Sequence, residues 1–147
     1  MRYASRRRGG SFKVTGVLIR EEERRIAEQH VVEVIFAFGI PASVKGYHYL
    51  REGIIYAVLN PLPLDSLTKQ LYPYLGRLFH KTGSSIESSI RRAIEYLPAR
   101  ADEEILRSYF GVEYAYNEFW RPSNSEFISV VSEKVRVDLG RMAMWRM

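Results

Sequence analysis

Apolar residues recur at helical spacing through residues 81–97, KTGSSIESSIRRAIEYL, and this pattern constrains the fold more than any other in the chain. On a helical wheel they fall within about a third of the circumference, as expected for a helix packed on a core. This stripe consists of Ile86, Ile90, Ala93, Ile94 and Leu97. The opposite side carries serines in the first two turns and then two arginines. We therefore predict a helix over about 84–97 whose polar face is free for a partner.

The same periodicity recurs in segments separated by proline and glycine, and it predicts an all-α domain of about six helices. The predicted helices span about 21–38, 44–59, 65–79, 84–97 and 102–110, and a last one begins within 121–127. Asp102 and Ser123 are the predicted N-caps, the latter with Glu126 at capping-box spacing. Pro73 predicts a fresh helix start, and Gly140 predicts the end of the last helix.

Residues 1–20 are expected to form a basic, flexible arm, because they combine arginines and glycines without periodicity. Within this arm, residues 11–19 are β-prone and indicate an extended lead-in. Residues 21–140 form the predicted helical domain, and residues 141–147 form a tail. A chain of 147 residues with 46% hydrophobic and 27% charged residues fits one soluble domain with a real core.

Composition argues against several functional classes. With no cysteine, the chain has no disulfide scaffold, thiol nucleophile or cysteine-ligated zinc. His30, His48 and His80 lie on separate segments without metal-ligand spacing, and no phosphate-binding glycine loop occurs. No apolar run reaches the roughly 18–20 residues that a membrane span needs. We therefore predict no enzyme activity, no cofactor and no membrane partner, while the net charge of +5 favours nucleic acid.

The segment YPYLGRLFHKTG, together with the serine-arginine helix, completes a helix-turn-helix pattern. A short helix would end near Phe79, HKTG would form the turn, and Gly76 would leave room for a crossing helix. The second helix of such a motif enters the DNA major groove with its N-terminal end. A purely structural helical hairpin shows the same spacing. Glu87 is ambiguous too, since it could close a capping box with Ser84 or accept from a cytosine amino group.

Four motifs carry a family resemblance. GIPASVKGYHYLREGI, SLTKQLYP, SSIESSIRRAIE and RPSNSEFISVVSEKVR occur here in the order and spacing of the C-terminal effector domain of stage zero sporulation protein A. The chain resembles this family of sporulation response regulators over about residues 35–139. The resemblance implies an all-helical fold that binds short promoter boxes in double-stranded DNA, with 84–97 as recognition helix. It also implies that residues of about 100–112 contact RNA polymerase and its sigma factor.

The helix-turn-helix pattern and the resemblance together select the predicted DNA-binding residues. The base-facing positions are Ser84, Ser85, Glu87, Ser88, Arg91 and Arg92. Phosphate contacts are expected from Lys69, Lys81 and Thr82, and from the arm residues Arg6, Arg7 and Arg8 unless the arm is only a disordered terminus. A homodimer on tandem sites and a place in the bacterial cytoplasm, at the nucleoid, are further expectations.

Two departures from the family pattern bear on function. Glu87 and Arg91 match it, but Ser85 and Ser88 stand where the family carries base-reading arginines. A bidentate contact discriminates between bases by roughly 1–3 kcal/mol, so their loss alters the expected base preference. The residues before 35 are also too few for the family's phosphorylatable receiver domain. The chain is therefore either a natural stand-alone variant, which Met1 and the distinctive arm favour, or a fragment.

Two functions fit these residues. The first is a sequence-specific DNA-binding transcriptional regulator with an altered base preference. The second is a receiverless protein-interaction module or modulator that contacts RNA polymerase or a full-length regulator without specific DNA reading. The two missing arginines motivate this alternative.

Overall fold

The computed structural model describes residues 8–111 and 120–146, and helices make up most of this part of the chain. They are α1 (Arg8–Ala37), α2 (Gly46–Leu59), α3 (Leu64–Phe79), α4 (Gly83–Ile94), α5 (Leu97–Arg100), α6 (Glu103–Phe110) and α7 (Asn124–Arg146). Because α5 is a single turn, six longer helices build the described fold. The described residues contain no strand, which confirms the predicted all-α class. None of the described helices is both long and apolar enough to cross a bilayer.

The central helix of the domain is α2, which packs against α1, α3, α4 and α7. Its side chains Leu50, Ile54 and Ile55 are completely buried, as expected for a helix enclosed by neighbours. Gly46 permits the closest approach, because a Cβ atom there would lie 2.0 Å from the carbonyl oxygen of Ser89 in α4. Helix α2 therefore packs closely against the buried side of α4.

Helix α1 begins at Arg8, earlier than the predicted start at residue 21. The expected extended lead-in at 11–19 is therefore corrected to helix. Each residue added to an existing helix gains a hydrogen bond without a new nucleation cost, which outweighs a weak β propensity. Residues 1–7 of the predicted arm lie outside the described residues.

Two helices continue past residues that were predicted to interrupt them. Helix α3 runs through Pro73, and α7 runs past Gly140 to Arg146. Pro73 cannot donate to the carbonyl of Lys69, but its ring is exposed and the other backbone bonds hold the helix. Gly140 lies in helical backbone, where glycine costs about 1 kcal/mol relative to alanine without ending the helix. Both predictions were wrong.

A buried carboxylate joins α1 to α2. Glu52 accepts a hydrogen bond of 2.9 Å from Arg24 and lies 3.6 Å from the guanidinium of Arg51. The bond to Glu52 is the main reason why the pKa of Arg24 is raised. Because a buried carboxylate needs charged partners, Arg24 on α1 and Arg51 on α2 both stabilise Glu52, and the bond from Arg24 attaches α1 to the core. A second contact, 3.2 Å between His30 Nε2 and Asp138 Oδ2, joins α1 to α7.

Candidate nucleic-acid interface

Helices α3 and α4 are joined by a tight turn at 80–82, one residue shorter than predicted because Gly83 already belongs to α4. His80 adopts a left-handed backbone with φ of 57°, and the N–H of Lys81 donates to the carbonyl of Gly76 at 3.0 Å. A Cβ atom on Gly76 would lie 2.7 Å from the Lys81 carbonyl oxygen, so the turn needs glycine there. The space beside Gly76 is thus filled by the turn itself, which corrects the expectation of a crossing helix.

Thr82 caps the start of α4. Its hydroxyl oxygen accepts a hydrogen bond of 3.1 Å from the backbone N–H of Ser85. With Thr82 as the N-cap, Ser85 occupies the third helical position, and Glu87 lies two residues beyond the reach of a capping box. The alternative in which Glu87 pairs with Ser84 as a cap is therefore wrong, and the side chain of Glu87 is exposed.

The apolar stripe of α4 faces the core. Its large side chains Ile86, Ile90 and Ile94 are almost completely buried, and Ala93 and Ser89 lie beside them against α2. Burying each of these isoleucines stabilises the fold by roughly 1.5–3 kcal/mol. Helix α4 is therefore held in one rotational setting, with its opposite face turned outward.

Helix α4 ends at Ile94, earlier than the predicted end at residue 97. Pro98 explains the difference, because a continuing helix would bring its ring against the carbonyl of Ile94 and would lack one donor. The chain instead turns at residues 95–96 and starts α5 at Leu97, whose side chain is still buried. The helix predicted to be the recognition helix is thus shorter than expected, but the burial predicted for its apolar stripe is confirmed.

The predicted base-facing residues all lie on the outward side of α4. Ser88 is half-buried, and the other five are exposed. These five are Ser84, Ser85, Glu87, Arg91 and Arg92. A weak contact of 3.3 Å joins the guanidinium of Arg91 to the hydroxyl of Ser88. Within the described part of the chain, neither Arg91 nor Arg92 forms an ion pair. Both guanidinium groups are therefore available to an anionic partner.

The predicted phosphate-binding residues divide into two groups. Lys69 on α3, Lys81 in the turn and Thr82 at the cap are exposed and lie on the helix-turn-helix itself. Arg6 and Arg7 lie outside the described residues, and Arg8 is the first residue of α1, with a side chain that is not among those described. Of the first group, Lys81 and Thr82 directly precede α4, whereas Lys69 lies on α3, before the turn.

An open cleft of about 580 Å³ borders one side of α4. Its walls are α3, α4 and residues 120–125, which lead into α7. The Nδ2 atom of Asn124 donates to the carbonyl of Glu87 at 2.9 Å and to the hydroxyl of Tyr72 at 3.3 Å. Arg121 lies 3.6 Å from Glu95 at the end of α4.

Sequence reasoning did not find these flanking residues. Within RPSNSEF it identified only the cap, which is confirmed because the N–H of Glu126 donates to Ser123 Oγ at 3.1 Å. Asn124 follows that cap directly. An amide side chain at a helix start can form hydrogen bonds, and this was the signal that could have identified Asn124. Burial raises the pKa of the Tyr72 hydroxyl, and the bond from Asn124 opposes this shift.

Comparison with known protein families identifies the family of this chain. Residues 31–135 match the family described as Spo0A_C, Sporulation initiation factor Spo0A C terminal. The matched region begins within α1, ends within α7 and includes the whole helix-turn-helix.

Proposed function

Because the chain belongs to the family of the C-terminal domain of sporulation initiation factor Spo0A, a DNA-binding domain family, we propose that it regulates transcription by reading DNA sequence through α4. The family is not an enzyme family and acts in the control of sporulation. The observation that carries the proposal is the outward face of α4, where small hydroxyl side chains are followed by two arginines that form no ion pair with any described residue. The side chains of this face are small at the start of the helix, and the arginines that follow them are positively charged.

The residues on this face have distinct roles in the proposed complex. Glu87 accepts from the exocyclic amino group of a cytosine, and Arg91 donates in bidentate fashion to a guanine. Ser84, Ser85 and Ser88 donate to or accept from any base edge, so they read sequence less strictly. The base preference therefore differs from that of relatives that carry arginines at 85 and 88.

Phosphate contacts would surround this face. Lys69 and Lys81 lie on the first helix and the turn, where a helix-turn-helix crosses the DNA backbone. The hydroxyl oxygen of Thr82 accepts in the cap and lies 3.4 Å from the Ser84 hydroxyl. When Ser84 is the donor in that contact, the Thr82 hydrogen can point to a phosphate. Arg92 adds a cation on α4, and the arm residues 6–8 add further ones. These contacts supply binding without sequence information.

Protein partners are also proposed on the basis of the family. Helix α6 corresponds to the surface that would contact RNA polymerase and its sigma factor. Glu103, Glu104 and Arg107 are exposed on it, and α6 packs against α7. Because α6 is separate from the outward face of α4, polymerase and DNA could be bound together. A homodimer on tandem DNA sites is proposed on the same family basis.

Selection of bound sequences from a pool of random duplexes tests the proposal. We expect one enriched motif that includes a cytosine and a guanine at positions spaced for Glu87 and Arg91. Charge-driven binding that weakens with salt and enriches no motif would overturn sequence reading. That result would favour the interaction module, for which Ser85 and Ser88 in place of arginines are the supporting observation.

A further inference from the structure

We propose that Asn124 is a positioning residue for the recognition helix, and that it sets the position of α4 along and about its own axis. This inference rests on the proposed function, because its consequence is measured in DNA reading. Asn124 is the first residue of α7 and itself lies outside α4. It would determine which duplexes are preferred by acting through Glu87 and Arg91.

The geometry of the amide supports this role. The side chain of Asn124 carries two N–H donors, and one reaches the Glu87 carbonyl at 2.9 Å while the other faces the Tyr72 hydroxyl at 3.3 Å. A carbonyl oxygen can only accept, so the amide nitrogen must face Glu87. One side chain of α7 therefore holds both helices of the helix-turn-helix.

The position of this bond along α4 matters. The carbonyl of Glu87 also accepts the helical hydrogen bond from the N–H of Arg91, so the turn held by Asn124 carries both proposed base-reading charges. Hydrogen bonds to base edges need donor–acceptor distances of about 2.7–3.2 Å. A small displacement of α4 would break them, because a bidentate contact to a base edge has a fixed geometry, whereas a cation can meet a phosphate in many orientations. Loss of the Asn124 bond should therefore reduce discrimination more than general binding.

A neighbouring contact provides a matched control. The hydroxyl of Ser125 lies 3.2 Å from the hydroxyl of Thr68, which joins α7 to α3 without touching α4. Ser125→Ala removes this contact from the same part of α7. If Asn124 only attached α7 to the domain, the two positions would behave alike.

Two variants remove the Asn124 donor in different ways. Asn124→Asp keeps the shape of the side chain, and an acidic residue at this position is favourable for the start of α7. Its carboxylate can still accept from Tyr72, so mainly the bond to Glu87 is lost. Asn124→Ala removes both bonds without adding a charge. An effect shared by both variants is therefore due to neither the added charge nor a failure of α7 to fold.

The first readout is the ratio of affinities for the selected duplex and for a random duplex, measured by fluorescence anisotropy. We expect both Asn124 variants to lower this ratio roughly 3- to 10-fold, as expected for one lost hydrogen bond, and Ser125→Ala to change it less than about 2-fold. A ratio that is unchanged in the Asn124 variants, or equally lowered by Ser125→Ala, would overturn the inference.

The second readout does not depend on DNA. Hydrogen exchange of the α4 amides should be roughly 3- to 10-fold faster in Asn124→Ala than in the wild-type protein, and unchanged in Ser125→Ala. If the wild-type protein selects no motif, the proposed function fails, and this exchange measurement alone decides whether Asn124 holds α4. Equal exchange in the three proteins would show that it does not.

Discussion

The hydroxyl oxygen of Thr82 accepts a hydrogen bond of 3.1 Å from the backbone N–H of Ser85, and this contact caps the start of α4. The cap is supplied by the turn, so α4 needs no help from its own outward side chains. Glu87 is thereby left with an exposed carboxylate on the face proposed to enter the major groove. Capping and base reading are therefore assigned to different residues.

Replacing Thr82 should separate stability from DNA binding. We expect Thr82→Ala to lower the free energy of unfolding by about 1 kcal/mol, because a backbone donor loses its partner. Thr82→Asp should keep the stability, since aspartate caps equally well, but it should weaken DNA binding through charge repulsion. Urea denaturation measures the first effect and fluorescence anisotropy the second. Wild-type stability in Thr82→Ala would contradict the capping role.

Replacing Arg91 and Arg92 with alanine should weaken binding to all duplexes. If both contact phosphates, each lost contact lowers the dependence of log affinity on log salt by about 0.9, so the slope falls by up to about 1.8. If Arg91 instead reads a guanine, the double variant should keep part of this slope and should lose discrimination at one base pair. Anisotropy titrations at several salt concentrations measure both quantities.

Arg107→Ala is the matched control for this experiment. Arg107 is an exposed arginine on α6, where it lies 3.5 Å from Glu103, so its loss changes the net charge without altering α4. We expect the salt dependence of this variant to stay close to that of the wild-type protein. A salt slope that is unchanged in the Arg91 and Arg92 double variant would remove these residues from the interface.

Restoring the arginines of the family should shift base preference. In the variant that combines Ser85→Arg and Ser88→Arg, we expect a preference for the family's promoter box, because each new guanidinium can grip a guanine in two places. Each good contact would add roughly 1–3 kcal/mol of discrimination. Competition between the box and a scrambled duplex measures the shift. Indifference to the two duplexes would count against the proposed base-facing role of positions 85 and 88.

Stability above pH 10 should depend on Tyr72. Burial raises the pKa of its hydroxyl above the ordinary 10.0, so the folded protein keeps this proton to higher pH than the unfolded chain does. The resulting stability is present below the unfolded pKa and is lost as the pH rises through the folded pKa. Tyr72→Phe should flatten the decline above about pH 10.

Because Tyr72→Phe also loses the bond to Asn124, its free energy of unfolding should be lower by a constant amount at lower pH. Urea denaturation of both proteins across this pH range separates the offset from the slope. Equally steep declines in the two proteins would show that Tyr72 does not carry the effect.

Local patterns allowed much of the fold to be predicted. The buried stripe of α4, the cap at Asp102 and the cap at Ser123 depend on residues close together in sequence, and all three occur in the structure. The resemblance to the Spo0A family is confirmed by the family match over residues 31–135, and the DNA-reading role of the α4 surface is a proposal based on it.

The remaining features depend on contacts that a sequence does not display. The continuation of α3 through Pro73 and of α7 past Gly140 reflects support from neighbouring helices, which outweighs the local cost of each residue. The bond from Asn124 to Glu87 joins positions far apart in the chain, so no spacing indicates it. The cap of α4 is Thr82 and not Ser84, because the turn from α3 ends at Thr82.

Backbone amide chemical shifts of the wild-type protein, recorded with and without a duplex that carries the selected motif, test the central claim most directly. If the outward face of α4 enters the major groove, the largest changes should fall on residues 81–92, with small changes on α6. Large changes confined to α6 or α7, with residues 81–92 unaffected, would contradict the assignment of α4 as the recognition helix.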